Sequence, residues 1–261
     1  MPSILVTNDD GIHAPGLSAL VEALQPLGNV TAVAPLREMS ACSRSISLFR
    51  PVRYEAVGPG RYGVDGTPVD AVIVALNHLL RDTPPDLVVS GINLGANVGM
   101  NVFYSGTVGA ALEGTLHGIP SFAISVCSKR EVPLGPAAEL AKALTGWLME
   151  YELPEGITLN VNVPPDWQRG VRLTRLAPRT ARRMQVEPLQ AREPDTLSIR
   201  EVIDSAELAA DSDYSAVRDK HVSITPLLIG SADPPLLEQL ERWIRDGAFG
   251  PETAPVDKRS L

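Results

Sequence analysis

The sequence predicts an α/β protein built on a mostly parallel sheet, and three observations carry that prediction. Short apolar runs rich in Val, Ile and Leu recur along the first half, amphipathic stretches at helical spacing separate them, and Gly, Pro, Asn and Asp gather at the joints. Strands that are apolar throughout belong to sheets covered on both faces. At 261 residues, with 44% hydrophobic and 21% charged, the chain suits one large α/β domain or such a domain with an extension.

The first strand covers residues 4–7. A helix follows from Pro15, with Leu17, Leu20, Val21 and Leu24 at helical spacing, Pro15 in its first turn and Pro26 at its end. Residues 30–34 form the second strand, residues 37–47 a polar loop, and residues 52–57 and 62–64 two short strands. Gly66-Thr67-Pro68 opens a helix that carries Val69, Val72, Ala75 and Leu76 on one face, and a strand follows over 86–90. After a glycine-rich loop a helix starts near Ser105, with the next strand at 122–126 and an amphipathic helix through Leu140, Leu144, Trp147 and Leu148. This repeated β-α-β alternation predicts a doubly wound, Rossmann-like sheet.

The second half has a different character. Strands are expected at 158–163, 171–176 and 222–227, and Asp233-Pro234 caps a last helix with Leu236, Leu237, Leu240, Trp243 and Ile244, before a loose tail from Gly250. Between them, residues 179–200 are charged and hold Arg179, Arg182, Arg183, Arg192 and Arg200. That stretch reads either as a solvated arm or as a protruding hairpin that reaches a neighbouring subunit or an anionic ligand. The expected division is a core over residues 1–177 and a C-terminal extension over 178–261, holding the oligomerisation arm, the returning strand 222–227 and the last helix.

The net charge of −8 argues against a nucleic-acid binder, because a polyanion needs a basic face. Two cysteines, Cys42 and Cys127, without Cys-x-x-Cys spacing, suggest a reducing compartment and neither disulfides nor zinc. No cleavable leader pattern and no apolar run near the roughly 20 residues of a membrane span appears. The expected location is the cytoplasm, with no membrane partner.

Three loops should converge on one edge of the sheet, at the carboxyl ends of its strands, where open α/β sheets bind ligands. The first is Asn8-Asp9-Asp10-Gly11. Adjacent carboxylates repel each other and resist burial unless a cation sits between them, so the pair reads as a metal site. Its alternative is a strand-to-helix turn in which Asn and Asp cap the helix. The second loop contains Ser40, Cys42 and Ser45, and the third, residues 90–99, contains Asn93 and Asn97. Carboxylates, a hydroxyl and an amide oxygen form a hard ligand set suited to magnesium, manganese or calcium. The third loop runs into Tyr104-Ser105-Gly106-Thr107, where Ser105 as N-cap and free helix N–H groups would suit phosphate. No Walker A loop, Gly-x-Gly-x-x-Gly fingerprint or Gly-x-Ser-x-Gly elbow is present. His13 lies near the Asp pair and reads as a surface or packing residue, and no histidine is given a role.

The run from Ile4 through Thr7-Asn8-Asp9-Asp10-Gly11 to Leu17, Ser40 downstream of Val33-Ala34-Pro35, Gly66-Thr67-Pro68-Val69-Asp70, the 90–99 loop, Tyr104-Ser105-Gly106-Thr107-Val108 and residues 222–227 together resemble the survival protein E (SurE) family across nearly the whole chain. The resemblance implies a Rossmann-like, metal-dependent 5′-nucleotidase that hydrolyses nucleoside 5′-monophosphates and assembles as a dimer or tetramer through its C-terminal extension. Carried over residue by residue, it implies metal ligation by Asp9, Asp10, Ser40 and Asn93. It also implies phosphate binding by Asn97, Ser105, Gly106 and Thr107, and catalysis by Asp9 and Asp10 with one divalent ion, magnesium or manganese. Met39 stands where the family often has a basic residue and Ala71 where it often has Cys. Two other readings of the residues are a covalent aspartyl-phosphate phosphatase, against which the absence of Asp-x-Asp speaks, and a nucleotide-binding regulatory module without turnover.

Overall fold

The computed structural model describes residues 1–230, save 129, 131, 168, 189–195 and 205–207, together with Arg242. The chain divides into two compact units, Met1–Ile229 and Gly230–Leu261. The last helix expected through Leu236 to Ile244 and the tail from Gly250 lie outside the described residues, except for Arg242.

The first unit alternates strand and helix: β1 (Ser3–Thr7), α1 (Pro15–Leu24), β2 (Asn29–Pro35), β3 (Tyr54–Gly58), β4 (Arg61–Val64), α2 (Pro68–Val74), β5 (Leu87–Leu94), α3 (Gly106–Leu116), β6 (Ser121–Val126), α4 (Gly135–Glu150) and β7 (Ile157–Val163). There follow β8 (Arg169–Leu173), β9 (Arg182–Pro188), β10 (Leu197–Ile203), α5 (Asp213–Arg218) and β11 (His221–Leu228). Among the described residues, nine strands join one sheet in the order β3-β4-β2-β1-β5-β6-β7-β11-β8, and β9 and β10 pair by themselves as an antiparallel hairpin. The sheet is parallel from β4 through β7. Only β3 against β4 and β11 against β7 run antiparallel within it.

Two-sided burial follows from the alternation of side chains along a strand. In β1, Ile4 and Val6 pack with Leu17, Leu20 and Leu24 of α1 and with Ala138 and Ala141 of α4. Leu5, between them, joins Val33, Val88 and the Ala71–Val72 face of α2 on the other side. All three β1 residues are fully buried. Helix starts follow local chemistry: Pro15 lies in the first turn of α1, and Thr67 and Asp70 form a capping box on α2. α2 is short because it passes directly into a wider turn at Ala75–Leu79.

Strand order places the ligand edge. The chain moves from β1 to β2 on one side, while β5 and then β6 lie on the other, so β1 and β5 flank the point where winding reverses. Thr7 and Ser90 are in register there. The segment after Thr7 therefore leaves the sheet beside the last residues of β5, at the crevice that doubly wound sheets use. α1 comes very near this edge, since a Cβ on Gly16 would stand 2.0 Å from the Ile92 carbonyl oxygen. Gly16→Ala is expected to lower stability by about 3 kcal/mol, because backbone faces backbone and neither side can turn away. Urea unfolding of the variant beside wild type checks this.

Candidate metal and phosphate site

Asn8 makes the turn that presents the aspartates. Its Oδ1 accepts from the Gly11 N–H at 3.1 Å, and its Nδ2 donates to the Gly11 carbonyl at 3.1 Å. The helix-cap alternative for the Asp pair fails here, because Ala14 occupies the N-cap position of α1 and no side chain caps that helix. Asp9 is buried and Asp10 is half-buried. The Thr107 hydroxyl donates to Asp9 Oδ1, and among the described residues no cationic side chain pairs with either carboxylate. Burial pushes the Asp9 carboxyl above its ordinary range, opposed by the Thr107 hydroxyl and nearby N–H groups. Burial, then the charges of Asp9 and Glu38, pushes Asp10 up to about 6. Two carboxylates are thus held together against both desolvation and mutual repulsion.

The loop after β2 is tied to this pair by main chain, since the Met39 N–H donates to the Asp9 carbonyl at 2.7 Å. Ser40, next in sequence, is exposed and donates to Glu38 at 2.8 Å. Further along, the Ser43 N–H reaches the Tyr104 carbonyl at 3.0 Å and its hydroxyl reaches that of Phe103 at 2.7 Å. Thr67 donates to the Ser45 carbonyl at 2.7 Å, and Asp70 accepts from the N–H and hydroxyl of Ser47 at 2.9 and 2.7 Å. The capping box that starts α2 therefore also anchors the far end of this loop. Gly106 makes a close approach: a Cβ there would lie 2.8 Å from the Asp9 Cβ and 3.0 Å from the Cys42 sulfur. Burial, then the Asp9 charge, pushes the Cys42 thiol up. That shift disfavours the thiolate, the nucleophilic form.

β5 extends past the residues expected, through Leu94, with a bulge between Ser90 and Asn93 that places Asn93 beside Ser125. Asn93 Nδ2 donates to the Gly95 carbonyl at 2.7 Å, which leaves its Oδ1 as the side chain's acceptor. Asn97 is held more firmly. Its carbonyl accepts from Asn160 Nδ2 at 2.7 Å and Asn162 Nδ2 at 3.1 Å, its N–H donates to Asn162 Oδ1 at 2.8 Å, and its own Nδ2 donates to Ser125 at 2.9 Å. The loop ends at Gly99, whose N–H donates to Asp213 at 2.6 Å. The other Asp213 oxygen accepts from Ala177 and Tyr214 at 2.9 and 2.8 Å. Burial still pushes this carboxyl up against those three N–H groups. Ser105 caps α3, its hydroxyl accepting from the Val108 N–H at 3.1 Å.

Of the residues expected at a site, Asp9, Gly106 and Thr107 are in contact, Asp10 adjoins them, and Ser105 precedes them at the head of α3. Ser40 lies in the loop after β2 and Asn93 near the end of β5, on either side of β1, and their hydrogen bonds go to Glu38 and Gly95, not to the Asp pair. Asn97 stands with Asn93 at Ser125. His13 is exposed. Reading of the sequence missed Asn160, Asn162 and Asp213, which hold the third loop. Asn160 and Asn162 had left a signal, since with Thr158 they make three polar residues alternating with apolar ones along β7.

The profile described as survival protein SurE matches residues 4–183. The chain belongs to the survival protein SurE family. It is 44% identical over 246 residues to the 5′-nucleotidase SurE of Myxococcus xanthus, covering 94% of each chain. It is 41% identical over 254 residues to the 5′-nucleotidase SurE of Anaeromyxobacter dehalogenans, covering 97% of this chain and 99% of that one. Among solved structures, the SurE protein from Aquifex aeolicus aligns with a TM-score of 0.83 at 33% identity, over 92% of this chain and 99% of its own.

In this SurE chain Asp213 is the test of how the third loop is held. Asp213→Ala strands the Gly99 and Ala177 N–H groups in a buried place and is expected to cost about 2–4 kcal/mol in urea unfolding. Asp213→Asn keeps an acceptor oxygen and is expected to recover at least half of that loss.

Proposed function

We propose that the chain is a metal-dependent 5′-nucleotidase that hydrolyses nucleoside 5′-monophosphates to nucleoside and phosphate. One observation carries the proposal: a buried and a half-buried carboxylate side by side, without a cationic partner among the described residues, with Asp9 set against the head of α3. The donor set fits a hard divalent ion, magnesium or manganese. Asp9, Asp10, the Ser40 hydroxyl and the Asn93 Oδ1 would hold it. When bound, the ion supplies positive charge against the phosphoryl oxygens and makes water a stronger nucleophile at neutral pH.

The rest falls to the chain. Asn97 and the 105–107 turn receive the phosphate, where helix N–H groups meet the charge that spreads over its equatorial oxygens. Thr107 ties that turn to Asp9, so phosphate and carboxylates keep a fixed separation. Asp9 or Asp10 takes the proton of the attacking water as a general base.

Partner and location follow from the same chain. No described helix is long and apolar enough to cross a membrane, and Cys42 and Cys127 are free thiols. These support a cytoplasmic protein. The residues from 178 onward are assigned to self-assembly, as a homodimer or homotetramer. In the β9–β10 hairpin Val186 and Ile199 are paired across the strands and 58% and 70% exposed, with Met184 and Leu197 beside them. A lone two-stranded hairpin is marginal in water, so this apolar face calls for cover by a second copy.

Asp9→Asn and Asp10→Asn are each expected to cut phosphate release from a nucleoside monophosphate by roughly 10³-fold. In metal-free protein each should hold or raise the melting temperature, because a desolvated like charge is removed. Chelation of wild type should abolish release, and added manganese or magnesium should restore it. Wild-type rates for either variant in excess metal would end this reading, and a trapped aspartyl-phosphate would replace water with a covalent route. For assembly, Val186→Glu with Ile199→Glu is expected to lower the mass measured by light scattering to that of a monomer or a smaller oligomer.

A further inference from the structure

We propose that Arg61 of β4 is a positioning residue for the metal site, its guanidinium fixing the far end of the turn that carries Asp9 and Asp10. The inference rests on the metal-dependent reading and adds to it a residue outside the ligand set. Arg61 Nη2 donates to the Ile12 carbonyl at 2.7 Å and, at 3.4 Å, to the Ser18 hydroxyl of α1. β4 is separated from β1 by β2. The side chain therefore reaches across a strand to a turn with which its own strand does not pair.

This cation has a partner of an uncommon kind. A half-buried guanidinium ordinarily takes a carboxylate. Among the described residues no carboxylate pairs with Arg61, and the contact goes to an uncharged main-chain oxygen. A charged donor makes a shorter and stronger bond than a neutral one, which suits a bond that must hold a peptide group at a set angle. Gly63, two residues on and on the same face of β4, leaves room for the turn. A Cβ there would lie 2.3 Å from Leu36 Cδ2 and 3.6 Å from Ile12 Cγ2.

What the bond controls follows from how the turn is built. The Asn8 side chain bonds both main-chain groups of Gly11, so residues 8–11 move as one piece. The sheet fixes the entry to that piece, through Thr7 in register with Ser90. Ile12 fixes its exit. The Ile12 N–H donates to the Pro35 carbonyl at 2.8 Å, its carbonyl takes Arg61, and its side chain is fully buried. Loss of Arg61 leaves the exit peptide free to turn, and Asp10, two residues before it, turns with it. Metal ligands have to keep their distances to within about 0.2 Å, so a small rotation there is enough to weaken the ion.

The test titrates the full chain with manganese, without substrate, and follows the free ion by electron paramagnetic resonance. Arg61→Met is expected to weaken the manganese Kd about 10-fold. Arg61→Lys, which keeps a donor for the Ile12 carbonyl, should recover most of that loss. The sign of the change separates position from charge, because removing a cation near a metal site would by itself tighten the ion. A role in fold stability alone would leave the Kd of the folded protein unchanged, and circular dichroism checks that each variant is folded. If Arg61→Met does not fold, Arg61→Gln, polar and shorter, takes its place with the same loss expected. An unchanged or tighter Kd in the truncated variant, or an equal loss in Arg61→Lys, would overturn the role of Arg61. If wild type itself binds no manganese, the metal-dependent reading fails, and this inference with it.

Discussion

Everything at the ligand edge depends on a carboxylate that the fold buries against its own preference. Asp9 lies in the turn just past β1, and its main chain and side chain each recruit a different segment: the carbonyl takes the Met39 N–H, and Oδ1 takes the Thr107 hydroxyl. Those bonds draw the segment after β2 and the head of α3 onto one point. The local charge that results is unfavourable by itself, since burial raises both Asp9 and Asp10. On the function proposed above, a divalent ion would offset that repulsion.

The close approach of α3 follows from the same demand. Gly106 leaves space for Asp9 and Cys42, and at Gly109 a Cβ would stand 2.7 Å from the Ser43 carbonyl. The loop carrying Ser40 can therefore lie flat on the helix, with Ser43 bonded to the turn that precedes it. The glycine-alanine surface of this helix is a packing requirement of the site more than of the core.

Much of the fold was legible because burial on both sheet faces leaves continuous apolar strands, and because Pro15, Thr67 and Ser105 mark helix starts by local chemistry. The aspartate pair was legible for the opposite reason, as a charge cluster where a strand should end. Other parts were hidden. Residues 90–99 read as a loop because Gly and Asn are poor strand formers, yet β5 continues to Leu94 by means of a bulge that composition does not announce. α5 spans six residues and falls below the length at which periodicity shows. Asp213 and the two asparagines of β7 act across more than 60 positions of chain, so neither spacing nor motif connects them to the site they support.

The hold that Asn160 and Asn162 have on Asn97 bears on recognition in another way. A glycine-rich segment would ordinarily have to give up conformational entropy when a ligand arrives, at roughly 1–2 kcal/mol per residue fixed. Here both main-chain groups of Asn97 and the N–H of Gly99 are already immobilised by side chains from β7 and α5. The ordering is completed when the protein folds. On the function proposed above, an incoming phosphate would meet a preorganised surface, with most of its contact energy left for affinity and for the transition state.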